Sequence, residues 1–348
     1  MKEKIKTLIQ EFGISRWIIV GFILVMFCLA PVSGNKISVL LSNIFNRFAW
    51  NGILVLSMVP MIHSGCGLNF GLPLGIEAGL FGVTLAIELG FEGNAVFFAA
   101  LAIATPFAIL FGALYGFLLN KIKGGEMMIA TYVGFSAVSL MCIAWVMLPY
   151  SNPVIVWGYT GKGLRTMISI ESYFYEVLSG FLRFEIFGVT VPTGALLFFA
   201  LLAFGIWAFL HTKTGTAMTA VGSNPTFAKA AGINVDRIRL LSVILSTWLA
   251  AVGIINYEQG FGYVQLYTAP YSMAMPAVAA ILLGGASVNK ASISNVIIGT
   301  ILYQAIVTTT PNVINSLINL DISDVIRIVV SNGVILFALT RKIEDQKR

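Results

Sequence analysis

The chain has 348 residues, 58% of them hydrophobic and only 10% charged, with a formal net charge of +6 and a mean hydropathy of +0.90. Soluble domains carry about a quarter of their residues as charges, so this composition excludes a soluble globular protein and describes an integral membrane protein. The excess Lys and Arg sit at the ends of hydrophobic runs, as membrane topology requires, which argues against nucleic acid as a partner.

The first hydrophobic run, 17–32, follows a basic start (Lys2, Lys4, Lys6, Arg16). No small-residue cleavage site follows it, so it reads as a retained helix and not a signal peptide. Further runs lie at 48–62, 71–89, 95–119, 127–148, 191–210, 239–257, 272–286, 293–309 and 325–340. Most approach the ~20 residues that cross about 30 Å of hydrocarbon. The expected fold is an all-α integral membrane protein of about ten transmembrane helices, a single transmembrane domain over 1–348. With the N- and C-termini cytoplasmic, fifteen Lys and Arg lie on the inner side and six elsewhere (Lys36, Arg47, Lys162, Arg165, Arg183, Arg327). That bias supports this orientation.

In that orientation the longest external segment is 149–190. It holds the turn-rich piece Gly158-Tyr159-Thr160-Gly161-Lys162-Gly163, then Phe174, Val177, Leu178 and Phe181 at helical spacing. The spacing predicts a helix lying flat on the outer membrane surface, a docking surface for an external partner, or both. The second to fifth runs and the seventh to tenth would form two four-helix units inverted relative to each other. Each unit has a Gly/Pro-interrupted piece after its first helix, Gly65 to Gly75 in one and Gly260 to Pro276 in the other. Broken helices at matching positions of inverted halves mark the pathway in secondary transporters, and that logic is borrowed here by analogy.

Glu77 falls within a span, where an ionisable group is expensive and a functional candidate, unless it sits near a membrane face or bonds the broken piece before it. Asn69 and His63 lie close by in sequence. Glu88, Glu92, Asp321 and Asp324 read as solvated helix ends. The second broken piece is aromatic, with Tyr257, Phe261, Tyr263, Tyr267 and Tyr271 around Glu258, Gln259 and Gln265. Such rings form an interfacial belt, or stack on a sugar or nucleobase while the amides bond hydroxyls. The candidate pathway residues are therefore Asn69, Glu77, Tyr257, Gln259, Phe261 and Tyr263.

Catalytic and cofactor chemistry has little support. Cys28, Cys66 and Cys142 have no paired spacing and read as free thiols, neither a disulfide framework nor a metal site. Two distant histidines, His63 and His211, cannot build a His-Glu-x-x-His zinc site, and neither a Gly-x-Ser-x-Gly elbow nor a phosphate-binding Gly-x-x-x-x-Gly-Lys-Ser/Thr loop occurs. No cofactor is expected on this chain, and ATP-driven work would need a separate ATPase subunit.

The cytoplasmic segment 211–238 carries the most telling polar interruption. Asn224 can cap a helix, Pro225 suits its first position, and Gly232 offers the left-handed conformation that ends it. About two turns of helix are marginal alone in water, so this one should be held by packing. Phe227, Ala230 and Ala231 give it one apolar side, with Lys229 and Arg237 available to meet acidic groups.

The pattern Gly222-x-Asn224-Pro225-x-x-Ala228-x-x-Ala231-Gly232-Ile233 closely resembles the cytoplasmic coupling loop of ABC importer permeases of the branched-chain amino acid, ribose and nucleoside class. Gly67-Leu68-Asn69-Phe70 with Gly75-Ile76-Glu77-Ala78-Gly79, and Ala279 to Ser287 with its Gly284-Gly285 pair, resemble two further family segments. Asn69 departs from the ribose-type pattern, which has an acidic residue there, and the nucleoside-type signature is more compact. The resemblance spans about 48–340. It implies that Gly222, Asn224, Pro225, Phe227, Ala228, Lys229, Ala231, Gly232 and Ile233 couple the chain to a cytoplasmic ATPase subunit that holds ATP and Mg. It further implies a second permease subunit, identical or not, an extracytoplasmic solute-binding protein, surrounding lipid, and a small polar solute, sugar ahead of nucleoside. The competing readings are an ion-coupled secondary transporter using Glu77 and an intramembrane enzyme, the latter without a plausible catalytic set.

Overall fold

A computed structural model describes residues 14–158 and 163–318, with 325, 328, 329, 332 and 333 beyond them. The helices in chain order are α1 (Ile14–Leu29), α2 (Ile37–Leu56), α3 (Met58–His63), α4 (Leu72–Glu88), α5 (Asn94–Lys121) and α6 (Glu126–Met147). After the segment 148–192 come α7 (Thr193–Leu210), α8 (Lys213–Ser223), α9 (Pro225–Ala230), α10 (Val235–Phe261), α11 (Ala269–Leu283) and α12 (Ile293–Ile318). Four short strands interrupt them: β1 (Met167–Ser169), β2 (Phe184–Ile186), β3 (Val189–Val191) and β4 (Tyr263–Gln265).

Among the described residues, six stretches are long and apolar enough to cross a membrane: Ile37–His63, Asn94–Lys121, Glu126–Met147, Thr193–Leu210, Val235–Phe261 and Ile293–Ser316. Helices also stand at the first, third and eighth expected runs, at 16, 17 and 15 residues. The second helix starts at Ile37, well before residue 48, because Asn43, Asn46 and Arg47 lower the hydropathy of a stretch that is nevertheless helical. The tenth expected run, with Asp321 and Asp324, lies outside the continuously described residues, as do residues 159–162.

At the centre stands α10, with Thr247, Leu249, Ala250, Ile254 and Asn256 buried. Two helices approach it through paired glycines four residues apart. Gly75 and Gly79 of α4 face Ala250 and Ala251, and a Cβ at Gly75 would come 2.5 Å from that of Ala250. Gly112 and Gly116 of α5 lie on Ile244 and Leu240. Small residues let backbones approach where lipid offers no hydrophobic drive for helix association. A further set of helices repeats the arrangement: α4 packs on α5 as α11 packs on α12, and α10 packs on α5 and α4 as α2 packs on α12 and α11. The α2–α10 and α4–α11 contacts join the two sets.

The segment between α6 and α7 departs from its expected helix. Residues 171–179 form consecutive turns, Glu176 takes φ +53°, and the Glu176 amide donates to the Gln259 carbonyl at 2.8 Å. The Gln259 side-chain oxygen accepts from the Leu178 amide at 3.1 Å and lies 3.4 Å from that of Ser179. These amides are tied to α10 instead of continuing a helical ladder. The second broken piece is likewise a strand: Gly262 ends α10 at φ +84°, and β4 pairs antiparallel with β1, Ser169 opposite Tyr263.

The α11–α12 crossing offers a direct test of the glycine packing. At Gly299 a Cβ would press on the Ala280 carbonyl and lie 2.7 Å from the Gly284 amide, whereas at Gly205 of α7 nothing lies within 4 Å. Gly299→Val should destabilise the protein by about 1–3 kcal/mol, seen as a lower Tm in detergent. Gly205→Ala should leave the Tm unchanged or raise it slightly. Equal Tm values for the two variants would show that the crossing does not depend on glycine.

Candidate functional site

The short helix α9 is built by its caps. Asn224 accepts the Phe227 amide at 2.9 Å through its side chain, and Pro225 opens the helix. At the other end Gly232 sits at φ +82°, its amide donating to the Lys229 carbonyl at 3.1 Å, while the Ile233 amide reaches the Ala228 carbonyl at 3.0 Å. The helix rests on Ala228, which is fully buried, and presents outward Phe227, Lys229, Ala230 and Ala231. Phe227 is 67% exposed, a large aromatic standing clear of its own subunit.

Helix α8 leads into α9 and was not legible in the sequence, where its Thr and Gly content hides the buried Met218 and Val221. The Thr212 side chain, which caps its start by accepting the Gly215 amide at 3.3 Å, is the one local signal. The end of α8 meets the break after α3 backbone to backbone. A Cβ at Gly222 would collide with the His63 carbonyl, and Gly65, at φ +74°, would place one 3.0 Å from the Gly222 Cα. The His63 ring lies between two elements, with Nε2 donating to the Ala291 carbonyl at 2.8 Å and Nδ1 standing 3.3 Å from the Thr219 hydroxyl. The carbonyl partner assigns the ring proton to Nε2. Nearby, Arg239 and Glu126 pair at 2.6 Å, tying the start of α10 to that of α6 with both side chains mostly buried. Lys123 and Asp236 pair at 2.7 Å in an exposed setting worth little by itself.

The broken piece 64–71 is buried, and its polar groups are satisfied by protein. Asn69 donates to the Ser246 hydroxyl at 2.8 Å and accepts from the Tyr115 hydroxyl at 3.2 Å. Ser246 in turn donates to the Ser57 carbonyl at 2.6 Å, where α2 gives way to α3. Ser64 and Ser242 hydroxyls lie 2.6 Å apart. Irregular backbone at membrane depth is tolerated under such cover. Glu77 differs: it is 1% exposed, and neither carboxylate oxygen has a hydrogen-bond partner. Its position two residues from both Gly75 and Gly79 turns it about 200° from the α10 contact, toward α6.

The aromatic residues form a row at the far end of α10. Tyr257 meets Trp50 edge-on at 6.3 Å and stacks on Phe261 at 5.5 Å, and Phe261 meets Tyr263 edge-on at 5.9 Å. Gln259 points away from this row, its amide nitrogen donating to Ser179 at 3.1 Å. Tyr267 donates to the Leu164 carbonyl at 3.2 Å, and burial pushes its phenol up from the ordinary range. Asn69 contacts α10 at Ser246, eleven residues from Tyr257, or about 16 Å along the axis. Tyr257, Phe261 and Tyr263 therefore stand together, apart from Asn69. Among the described residues no group of three or more His, Cys, Asp or Glu could hold a metal ion.

The family described as "Branched-chain amino acid transport system / permease component" matches residues 40–339. The chain is similar to the autoinducer 2 import system permease protein LsrD of Photorhabdus luminescens, 27% identical over 84% of this chain and 79% of the relative. It is similar to the ribose import permease protein RbsC of Escherichia coli K12, 27% identical over 86% of this chain and 84% of the relative. It is 24% identical to the inner membrane ABC transporter permease protein YjfF of the same strain, over 85% of this chain and 80% of the relative. A solved inward-facing metal-chelate type ABC transporter aligns over 94% of this chain and 98% of its own at 18% identity and a TM-score of 0.49, too loose a likeness to carry an argument. The chain therefore belongs to the permease-component family of ABC importers: it is a multi-pass inner-membrane transport subunit whose ATPase is a separate subunit.

Proposed function

We propose that the chain, paired with a second permease subunit, forms the route of a small polar solute, a monosaccharide-sized sugar ahead of a nucleoside. The ribose and autoinducer 2 permeases among its relatives support the sugar class. An extracytoplasmic binding protein delivers solute to the end of the bundle that carries the aromatic row, where Tyr257, Phe261 and Tyr263 offer faces for stacking. ATP and Mg bind the partner ATPase and not this chain. The contact with that ATPase is α9, through Gly222, Asn224, Pro225, Phe227, Ala228, Lys229, Ala231, Gly232 and Ile233. One observation carries this reading: a six-residue helix, capped at both ends, exposes Phe227 beside Ala230 and Ala231. A helix that short gains most of its stability from packing, and its apolar side has no cover among the described residues.

The repeated helix pairings support two inverted units, exchanging α2 with α10, α4 with α11 and α5 with α12. An orientation with α9 cytoplasmic follows from the Lys and Arg distribution. Gln259 holds the external turns, Asn69 holds the break, and Glu77 is the polar group that the solute meets inside the membrane when the helices rearrange.

Phe227→Asp should leave the chain in the membrane, since the side chain is exposed, yet lower ATP-dependent uptake by at least about tenfold, the loss typical of a buried aromatic contact. Uptake at the parent rate with co-purifying ATPase would remove α9 from the interface.

Glu77 is tested by a pair of variants. Glu77→Leu should lower uptake by about tenfold or more while keeping the Tm, because it removes a buried group without a partner. Glu77→Gln should retain most uptake, since an amide still bonds a solute hydroxyl. An ion-coupled role would instead make the Gln variant as inactive as the Leu variant, and full activity of both would take Glu77 out of the route.

A further inference from the structure

We propose that the β2–β3 hairpin is an apolar anchor that inserts into the boundary between headgroups and acyl chains, at the membrane face opposite α9. The hairpin pairs Phe184 with Val191 and Ile186 with Val189, and turns through Phe187 and Gly188. Both turn residues have positive φ, +51° and +77°, the geometry of a type I′ turn, whose first position favours Asn or Asp. A bulky aromatic there is a backbone outlier that local structure does not favour, and such outliers point to function. Phe187 is also 98% exposed. Around it Phe181, Leu182, Phe184 and Ile186 are exposed by 44–59%. A soluble surface would scatter such residues singly, whereas here they fill one short segment.

The place of the hairpin in the fold selects lipid as the occupant. β3 runs through Pro192 directly into α7, whose exposed Leu197, Leu201, Phe204 and Trp207 recur at helical spacing without a charge among them. That stripe is a lipid-facing surface of an inner-membrane protein. At 18 residues α7 is about 27 Å long, close to the roughly 30 Å of hydrocarbon it must cross, so its Thr193 end, where the hairpin joins, stands near the bilayer boundary. The hairpin also lies beside helical turns and not above them. The Thr190 amide donates to the Ser42 hydroxyl at 2.9 Å, and Gly188 lies against Ser38 in the first turn of α2. Exposed Ile37 and Val39 continue the apolar surface on that turn. The charge nearest the tip is Glu185, which alternates onto the face of β2 opposite Phe184 and Ile186, across from Thr190, and Arg183 before it pairs with Glu176 at 3.0 Å.

The same segment is clamped to α10 through Gln259, and Trp50 of α2 adds an indole bond to Ser179 at 3.2 Å. Anchored at its tip and clamped at its base, the external segment would hold the outer end of α10 at a fixed depth while the α9 end moves. This does not depend on which solute is carried.

Spin labels on the purified chain in phosphatidylethanolamine/phosphatidylglycerol vesicles test it, with Cys28, Cys66 and Cys142 replaced by Ala. Labels at Phe187→Cys, at Leu201→Cys on the lipid-facing stripe, and at Asn289→Cys on an exposed loop are compared for collision with oxygen and with a water-soluble nickel chelate. The label at 187 should resemble that at 201, favouring oxygen. A label at 187 that favours nickel, as at 289, would overturn the anchor and turn the tip toward a soluble protein. If the cysteine-free chain fails to fold, Phe187→Trp in the parent chain tests the same insertion. Fluorescence quenching by brominated lipid should exceed that of the parent, and equal quenching would overturn the proposal.

Discussion

The rest of this structure depends on how closely α4 and α5 approach α10. In a membrane there is no hydrophobic gain from bringing two apolar helices together, so association relies on packing and on polar contacts. Gly75 and Gly79 on one helix, with Gly112 and Gly116 on the other, place backbone against backbone along α10. That closeness brings Asn69 within reach of Ser246, and Ser246 within reach of the carbonyl at the α2–α3 bend. The buried break in the chain is possible because the glycine contacts put donors and acceptors next to its exposed peptide groups. The glycines around Glu77 thus have a packing role, independent of any role of the carboxylate between them.

A second set of contacts links the end of α8, just before α9, to that same break. Gly222 touches the His63 carbonyl and Gly65, and the His63 ring bonds the loop after α11 at Ala291. The end of α8 is thus joined to the end of α3, and through one imidazole to the loop before α12. Arg239 and Glu126 hold α10 to α6 at the same end. Removing either partner would leave a mostly buried charge alone, a far larger cost than breaking the exposed Lys123–Asp236 pair. The two ion pairs of this end thus differ by burial, 8% and 17% exposed in one and 54% and 59% in the other.

Much of the architecture was legible because membrane helices announce themselves by hydropathy, and caps by residue type. The ends of α9 were readable from Asn224, Pro225 and Gly232, since each supplies a backbone or side-chain geometry that few other residues do. The start of α2 was not, because Asn43, Asn46 and Arg47 mask a helix that is stabilised by its neighbours. The segment between α6 and α7 misled for the opposite reason. Phe174, Val177, Leu178 and Phe181 have helical spacing, but the Gln259 side chain and carbonyl capture the amides that a helix would need. Gln259 itself was grouped with the aromatic row by sequence proximity, and a helix turns neighbouring residues about 100° apart.

That capture also explains why the two ends of α10 behave differently. At the α9 end the chain enters α10 through Asn234, an exposed capping residue whose side chain accepts the Arg237 amide at 3.1 Å. At the other end Glu258, Gln259 and Gly260 are all buried beneath folded turns. A Cβ at Gly260 would strike the Trp50 indole, so α2 and α10 meet there with no space for rearrangement that keeps both in place. The two ends are held by different means: Gly116 of α5 and the Arg239–Glu126 pair at the α9 end, and the Gln259 amide, the Glu176 backbone bond and the Trp50 indole at the other.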